Sequence, residues 1–137
     1  DGRPGSARRV DVQQGFDLIQ RLLASRGETV VIEDPVYPGL KNVFLRGGAR
    51  VIGAPVGLHG LDIDQVERIF EREKPRLMLV TPNYQNPTGT SLSLGSRHAL
   101  LTFARRHGVV LVENDLYSGL HYGDAAPAPI KKLDQNG

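Results

Sequence analysis

The chain contains no cysteine, which excludes disulfide bonds and thiolate metal sites and is compatible with a cytoplasmic location. Its formal net charge of +2 is too small to indicate a nucleic-acid partner. No apolar run approaches the roughly 20 residues that a membrane helix needs. With 39% hydrophobic and 23% charged residues, the 137-residue chain has the composition of a globular protein and the length of one domain.

Segments of helical and strand character alternate along the chain. Residues 1–10 are rich in Gly and Arg and are predicted to be a poorly ordered lead-in to a domain over 11–137. Apolar periodicity predicts helices over 13–24, 40–45, 63–74 and 94–107, and strands over 29–32, 50–55, 76–80 and 109–112. The strands are short and almost continuously apolar, as expected when both faces are buried. The alternation predicts an α/β fold with three αβα layers around a mostly parallel sheet.

Three polar turns follow predicted strands, at residues 33–39, 81–89 and 113–117. Parallel strands place their carboxyl ends at one edge of the sheet, and open α/β sheets bind ligands beyond that edge. The sequence therefore predicts one site to which all three turns contribute.

The second turn contains the most informative run, Asn86-Pro87-Thr88-Gly89. These four residues are all turn formers, so an ordinary turn is the alternative interpretation. The run resembles the Asn-Pro-Thr-Gly signature of pyridoxal-phosphate enzymes of the aspartate aminotransferase fold. An asparagine amide cannot titrate, which suits contact with a cofactor oxygen that changes between phenol and phenolate.

The resemblance covers nearly all of residues 12–133. Its most specific segments are QQGFDLI (13–19), EDPVYPG (33–39), TPNYQNPTG (81–89) and VENDLYSGLHY (112–122). Together they resemble class I/II aminotransferases of fold type I, and above all the aminotransferase-like domain of MocR-type regulators, a branch of the GntR transcription factors. This resemblance implies part of the large domain of a transferase that depends on pyridoxal 5'-phosphate (PLP).

The resemblance also implies how the chain contacts the cofactor. The phosphate is expected at the start of the first helix, beside Val12 and Gln13, where backbone N–H groups are free. The chain departs from the family pattern here, because Asp11 and Val12 stand where relatives carry Gly followed by Ser or Cys. Asp11 would repel a phosphate, and Val12 has no hydroxyl group.

Three further side chains receive roles from the resemblance. Tyr37 matches the aromatic residue that stacks on the pyridine ring, which a flat π face suits. Asn86 matches the asparagine at the phenolic oxygen, and Tyr117 matches a tyrosine that shares this oxygen. A half-buried loop tyrosine and a core aromatic residue are the alternative interpretations of Tyr37 and Tyr117.

The partner of the pyridine nitrogen is ambiguous in the sequence. The family places an aspartate three residues before the tyrosine, and counting back from Tyr117 gives Asn114 rather than an aspartate. Asp115 could reach the ring through a local bend, or Asn114 could meet the nitrogen with a neutral hydrogen bond. We favour Asp115 as the partner of the pyridine nitrogen. Glu113 is a third candidate or a solvated charge at the end of the strand.

The lysine that forms the Schiff base in this family has no match in the chain. Lys131 and Lys132 come too early and lack the Ser-rich context, so they are interpreted as a solvated helix end. The arginine that binds the substrate carboxylate has no match either. The resemblance thus implies that 11–137 is a partial PLP-binding domain that ends before the catalytic lysine, and that no catalytic residue lies in this chain.

Three functions are compatible with these features. The preferred one is the sensor domain of a MocR-type regulator, whose DNA contact would come from a separate upstream domain. The alternatives are a metabolic aminotransferase acting on an amino acid and a 2-oxo acid, and a Rossmann-like fragment without cofactor. A homodimer is expected of the complete protein, with no membrane contact. The four histidines have no metal-ligand spacing, so no metal site is predicted.

Overall fold

The computed structural model describes residues 12–115 and 128–135. The helices are α1 (Val12–Leu23), α2 (Pro38–Arg46), α3 (Ile63–Glu73), α4 (Leu94–His107) and α5 (Ile130–Leu133). The strands are β1 (Thr29–Asp34), β2 (Arg50–Gly57), β3 (Gly60–Leu61), β4 (Leu77–Val80) and β5 (Val110–Glu113). The predicted alternation is confirmed. The sequence did not predict the short strand β3, because two residues carry too little periodicity to detect. Helix α5 contains Lys131 and Lys132, which the sequence placed at a helix end.

The strands form one sheet in the order β3-β2-β1-β4-β5. Strands β2, β1, β4 and β5 are parallel, with Val31 paired to both Ile52 and Met78 across the centre of the sheet. Only β3 runs antiparallel, returning along β2 at the edge. The mostly parallel sheet that the apolar strands predict is therefore confirmed, with one antiparallel edge strand added.

Helices cover both faces of the sheet, and alternate residues of β1 show this directly. Val30 and Ile32 pack with α1 and α2, whereas Val31 packs with α3 and α4 on the opposite face. Both clusters are built from buried apolar side chains, and among them Phe44 on one face and Phe70 on the other are fully buried. This arrangement is the predicted three-layer αβα fold.

The helices begin and end where local sequence signals place them. The Asp62 carboxylate accepts a hydrogen bond from the Gln65 backbone N–H at the start of α3, and the Ser93 hydroxyl accepts one from the Ser96 N–H at the start of α4. Helix α4 ends at Gly108, whose φ of 65° lies in the left-handed region that glycine adopts without strain. None of the helices within the described ranges is long and apolar enough to span a membrane.

The parallel register brings the carboxyl ends of β1, β4 and β5 side by side. Ile32 pairs with Leu79, and Val80 pairs with Glu113 at the end of the next strand. We call residues 33–39, 81–92 and 113–115, which lie at and beyond these strand ends, the carboxyl rim.

Candidate functional site

The carboxyl rim contains a concentration of buried polar side chains. Among residues 12–115 and 128–135, the buried polar or charged ones are Glu33, Thr81, Asn83, Gln85, Arg97 and Asn114. All but Arg97 belong to the rim, and Arg97 reaches it from the first turn of α4. Polar groups that leave water must be hydrogen-bonded or they destabilise the fold, so their partners show how the rim is held together.

Gln85 joins the loop after β4 to the loop after β1. Its Nε2 donates to the Pro35 carbonyl over 2.7 Å, and its Oε1 accepts from both the backbone N and the hydroxyl of Thr88, at 3.1 and 2.6 Å. The Gln85 backbone N also donates to the Thr90 carbonyl over 2.9 Å. This single side chain therefore fixes the turn that presents Asn86 at its tip.

Glu33 makes a second connection between the same two loops. Its side chain is 2% exposed, and its Oε2 accepts a hydrogen bond from the Thr81 backbone N over 3.1 Å. Burial raises the pKa of the Glu33 carboxyl to about 7, although hydrogen bonds from Thr81 and Gln85 oppose the shift. Loss of hydration therefore outweighs the hydrogen bonds, and near neutral pH this carboxyl exchanges a proton.

Arg97 is fully buried and binds carbonyl oxygens from several segments. Its Nε donates to Leu92 over 3.0 Å, and its Nη1 and Nη2 donate to Ala128 and Pro82, each over 3.1 Å. Burial lowers the pKa of the Arg97 guanidinium, and the charges of Glu113 and Asp115 oppose this shift. The arginine thus ties the loop 81–92 to the segment that precedes α5.

Asn83 connects Arg97 to the third part of the rim. Its Oδ1 accepts from Arg97 Nη2 over 2.7 Å, and its Nδ2 donates to the Asp115 carboxylate over 3.1 Å. Together with the contact between Gln85 and Pro35, this bond links all three turns of the rim directly. The structure thus brings together the three turns that the sequence places at one edge.

The three candidates for the pyridine partner have different environments. Asn114 is buried, and its Nδ2 lies 3.4 Å from the Thr81 hydroxyl while its backbone N donates to the Val80 carbonyl. Asp115 is partly exposed and is held by Asn83. The Glu113 carboxylate accepts hydrogen bonds from the backbone N atoms at the start of α5, at 2.8 and 3.3 Å. Glu113 therefore caps a helix, a role that the sequence reading did not consider.

Tyr37 and Asn86 both lie on the exposed part of the rim. Tyr37 is 57% exposed and precedes Pro38 at the start of α2. Its ring lies against Gly39, where any added Cβ would collide with the ring edge. Neither Tyr37 nor Asn86 forms a side-chain hydrogen bond with another described residue, and both are open to solvent.

The remaining predicted contacts are less completely described. Val12 and Gln13 open α1, but their side chains lie outside what the structure describes. Tyr117 also lies outside the described residues.

Sequence reasoning missed the buried residues that support the site. The signal for Arg97 was present, because it stands three and four residues before Leu100 and Leu101 on the apolar face of α4. An arginine at a core position of an amphipathic helix must find buried partners. Glu33 and Gln85 gave a weaker signal, as polar residues at or shortly after the end of a buried strand.

A group of possible metal ligands lies away from the rim, between α3 and α4. One ligand atom each from Glu67, Glu71 and His107 lies within 4.8 Å of the others. The sequence reading did not find this group, because its members come from two helices. Arg106 already pairs with Glu67 over 2.6 Å, and this positive charge opposes cation binding.

The fold and the rim define a class of proteins: three-layer α/β domains that bind a ligand beyond the carboxyl ends of parallel strands. The model of the family "Aminotransferase class I and II" matches residues 10–136, so the chain belongs to this family. The family uses PLP, and its members include both enzymes and MocR-type regulators. The family and fold that the sequence resemblance implied are therefore confirmed.

Individual relatives include both enzymes and transcriptional regulators. The chain is 37% identical over 113 residues to the 2-aminoadipate transaminase of Thermus thermophilus, covering 82% of this chain and 28% of that protein. It is 30% identical over 125 residues to the probable rhizopine catabolism regulatory protein MocR of Rhizobium meliloti, covering 91% and 24%.

A solved structure supports the same assignment. The α-aminoadipate aminotransferase LysN of Thermus thermophilus, complexed with N-(5'-phosphopyridoxyl)-L-leucine, matches with a TM-score of 0.84 and 36% identity. The match covers 88% of this chain and 31% of that one. The chain thus spans about a quarter to a third of the length of these three relatives.

Proposed function

We propose that this chain is the central part of a PLP-binding domain, with its cofactor site on the carboxyl rim. One observation carries the proposal: the rim residues divide sharply by exposure. Glu33, Asn83 and Gln85 are buried and hydrogen-bonded within the protein, whereas the Tyr37 and Asn86 side chains are exposed and form no hydrogen bond with a described residue. A framework that is satisfied internally and presents free aromatic and amide groups is the arrangement a preformed ligand site needs.

The exposed groups fit the chemistry of PLP. The open ring of Tyr37 offers a flat apolar face for a pyridine ring, and the Asn86 amide offers a donor to its phenolic oxygen. The start of α1 offers backbone donors and the positive end of the helix dipole for the phosphate, beside Val12 and Gln13. Tyr117 is proposed to share the phenolic oxygen with Asn86.

We assign the pyridine nitrogen to Asp115. Its carboxylate is partly exposed and is held by Asn83, whereas the Asn114 side chain is buried against Thr81. A carboxylate at this nitrogen favours its protonated form, and protonated PLP supplies the electron sink for amino-group chemistry. The role of this chain is to bind the cofactor and to hold that proton in place.

The rest of the active site is proposed to lie elsewhere in a longer protein. The chain covers only 24–31% of the three relatives described above, and no lysine of the family motif occurs in it. We expect the 137-residue chain by itself to bind PLP weakly and to catalyse no transamination. Measurable turnover by this chain alone would contradict that expectation.

The complete protein is proposed to be a homodimeric MocR-type regulator that senses PLP or its amino-acid adduct. The likeness of residues 81–122 to the regulator branch supports this choice, and DNA contact would come from a separate upstream domain. The second candidate is a metabolic aminotransferase acting on an amino acid and a 2-oxo acid. The higher identity to a transaminase, 37% against 30% for MocR, favours that candidate.

The coding sequence on both sides of this segment separates the two candidates. A winged-helix module upstream, with a Ser-rich lysine turn downstream, would identify a regulator. The lysine turn without such a module would identify a metabolic enzyme.

The site itself is tested by Asn86→Ala in the complete protein, with PLP affinity measured by absorbance titration. Loss of one hydrogen bond to a charged oxygen should raise the dissociation constant about tenfold or more. His59→Ala is the control, because His59 lies in the exposed turn between β2 and β3. Equal affinities of the two variants for PLP would show that the site is not on the carboxyl rim.

A further inference from the structure

The interactions of Arg97 are unusual for a buried arginine. The residue is 0% exposed, yet its four hydrogen bonds to the described residues all go to neutral acceptors: three backbone carbonyls and the side-chain oxygen of Asn83. Its place in the first turn of α4 also sets its charge beside the positive end of that helix. Anchoring of loops alone would not require the contact with Asn83, because three carbonyl bonds already accomplish it.

The chemistry of the guanidinium determines which way the Asn83 amide points. Arginine has only donors, so the group facing Arg97 Nη2 at 2.7 Å must be the Asn83 oxygen. The amide nitrogen is then forced to the other side, where it donates to Asp115 Oδ1 over 3.1 Å. A reversed amide would place two donors against each other at Arg97 and two acceptors against each other at Asp115.

We propose that Arg97 is a positioning residue for the cofactor site, which acts through Asn83 to fix the orientation of the Asp115 carboxylate. We call the two hydrogen bonds from Arg97 to Asn83 and from Asn83 to Asp115 the Asn83 bridge. The inference rests on the proposed function, in which Asp115 meets the pyridine nitrogen of PLP. Through the bridge, the fully buried Arg97 guanidinium orients the Asp115 carboxylate, which is only partly buried.

Positioning of this kind has a clear physical benefit. A partly exposed aspartate changes rotamer freely, and each binding event must then fix it in one orientation. A donor that is itself held on its far side by a rigid guanidinium removes much of that freedom before the cofactor arrives. Arg97 is suited to the task, because α4 and three backbone carbonyls hold its own side chain in place.

The test uses Asn83→Leu in the complete protein, because this change breaks the bridge while the three carbonyl bonds of Arg97 can remain. The PLP dissociation constant should rise about tenfold, which corresponds to about 1.4 kcal/mol. Thr102→Ala is the control: it removes one side-chain hydrogen bond on the helix of Arg97, from the Thr102 hydroxyl to the His98 carbonyl, without touching the bridge or the carboxyl rim. This control should leave PLP affinity unchanged.

A double-mutant cycle with Asp115→Ala separates positioning from a general effect on the fold. If Asn83 acts through Asp115, Asn83→Leu should weaken PLP binding much less in the Asp115→Ala background than in the wild type. Full additivity of the two changes would overturn the inference. The thermal unfolding of the cofactor-free proteins is measured in parallel with the cycle. A loss of PLP affinity that merely follows a fall in stability would also overturn the inference.

Failure of this inference is distinguishable from failure of the proposed function. If Asp115→Ala and Asn86→Ala both leave PLP affinity unchanged, the proposed site is wrong and the inference falls with it. If both weaken binding while Asn83→Leu does not, only the positioning role is wrong. Should Asn83→Leu fail to fold, Asn83→Ala replaces it in the cycle, because a methyl group offers neither an acceptor to Arg97 nor a donor to Asp115.

Discussion

Arg97 and Arg106 lie on the same helix and show two opposite uses of one side chain. Arg106, in the last turn of α4, is exposed at the negative end of the helix and pairs with Glu67 on α3. Arg97, in the first turn, is fully buried at the positive end, where neither hydration nor the helix dipole favours a cation. The exposed arginine is easily accommodated by its surroundings, whereas the buried one depends on a specific set of acceptors. This contrast supports the proposal that the cofactor site lies on the carboxyl rim.

Arg97→Ala should have the largest effect of any change considered. The substitution leaves the Leu92 carbonyl and the Asn83 side-chain oxygen without their donor in a buried region. The Pro82 carbonyl loses one of its two donors and keeps the Leu92 backbone N. Such unsatisfied groups cost about 1–3 kcal/mol each, so the free energy of unfolding should fall by about 3 kcal/mol or more. Urea denaturation measures this change, and a loss below about 1 kcal/mol would mean that Arg97 does not hold the rim together.

The buried Glu33 carboxyl should make the free energy of unfolding depend on pH, and we expect a change of similar size. Because its pKa is raised from 4.5 to about 7, the folded protein binds this proton more tightly than the unfolded chain does. The resulting stability is fully present below about pH 4.5 and is lost as the pH rises through about 7. The whole shift corresponds to about 3 kcal/mol.

Glu33→Gln should remove this pH dependence, because a neutral amide oxygen can still accept from the Thr81 backbone N. The variant should be more stable than the wild type above pH 7, as measured by urea denaturation across the pH range. Glu71→Gln on the exposed side of α3 is the control and should keep the wild-type profile. Parallel pH profiles for Glu33→Gln and the wild type would show that Glu33 is not the responsible group.

Arg106→Ala gives the smallest expected effect and completes the comparison with Arg97. Its ion pair with Glu67 is exposed to water, and pairs of this kind contribute about 0–1 kcal/mol. The midpoint of urea denaturation should therefore move little, and added salt should reduce the difference further. A loss as large as that of Arg97→Ala would refute the contrast between the two ends of α4.

The sequence predicted much of the fold because its signals are local. The apolar runs of β1 and β4, the cap at Ser93 and the glycine at Gly108 each act within a few residues of their own position. Apolar periodicity therefore located the main elements, and the continuous apolar strands indicated a parallel sheet. The short strand β3 was not predicted from the sequence, because it exists only through its pairing with β2.

The same distinction between local and distant signals applies to the candidate site. Tyr37, Asn86 and Asp115 could be proposed from short motifs, because a family signature is a local pattern of residues. The residues that hold them could not, because Gln85 finds its partner 50 positions away at Pro35. The Asn83 bridge likewise joins the loop after β4 to α4 and to the end of β5, and no sequence pattern states which polar residues will meet.

The sequence by itself determined the family, the alternation of helices and strands, and the edge of the sheet at which the site is proposed. These follow from hydrophobic periodicity and from motifs whose chemistry is carried by adjacent residues. Only the tertiary structure decided which polar groups would be buried, that Glu33 would hold its proton near neutral pH, and that Arg97 would reach Asp115 through Asn83. Desolvation and hydrogen-bond geometry depend on atoms from distant segments, and those segments meet only when the sheet and its covering helices have assembled.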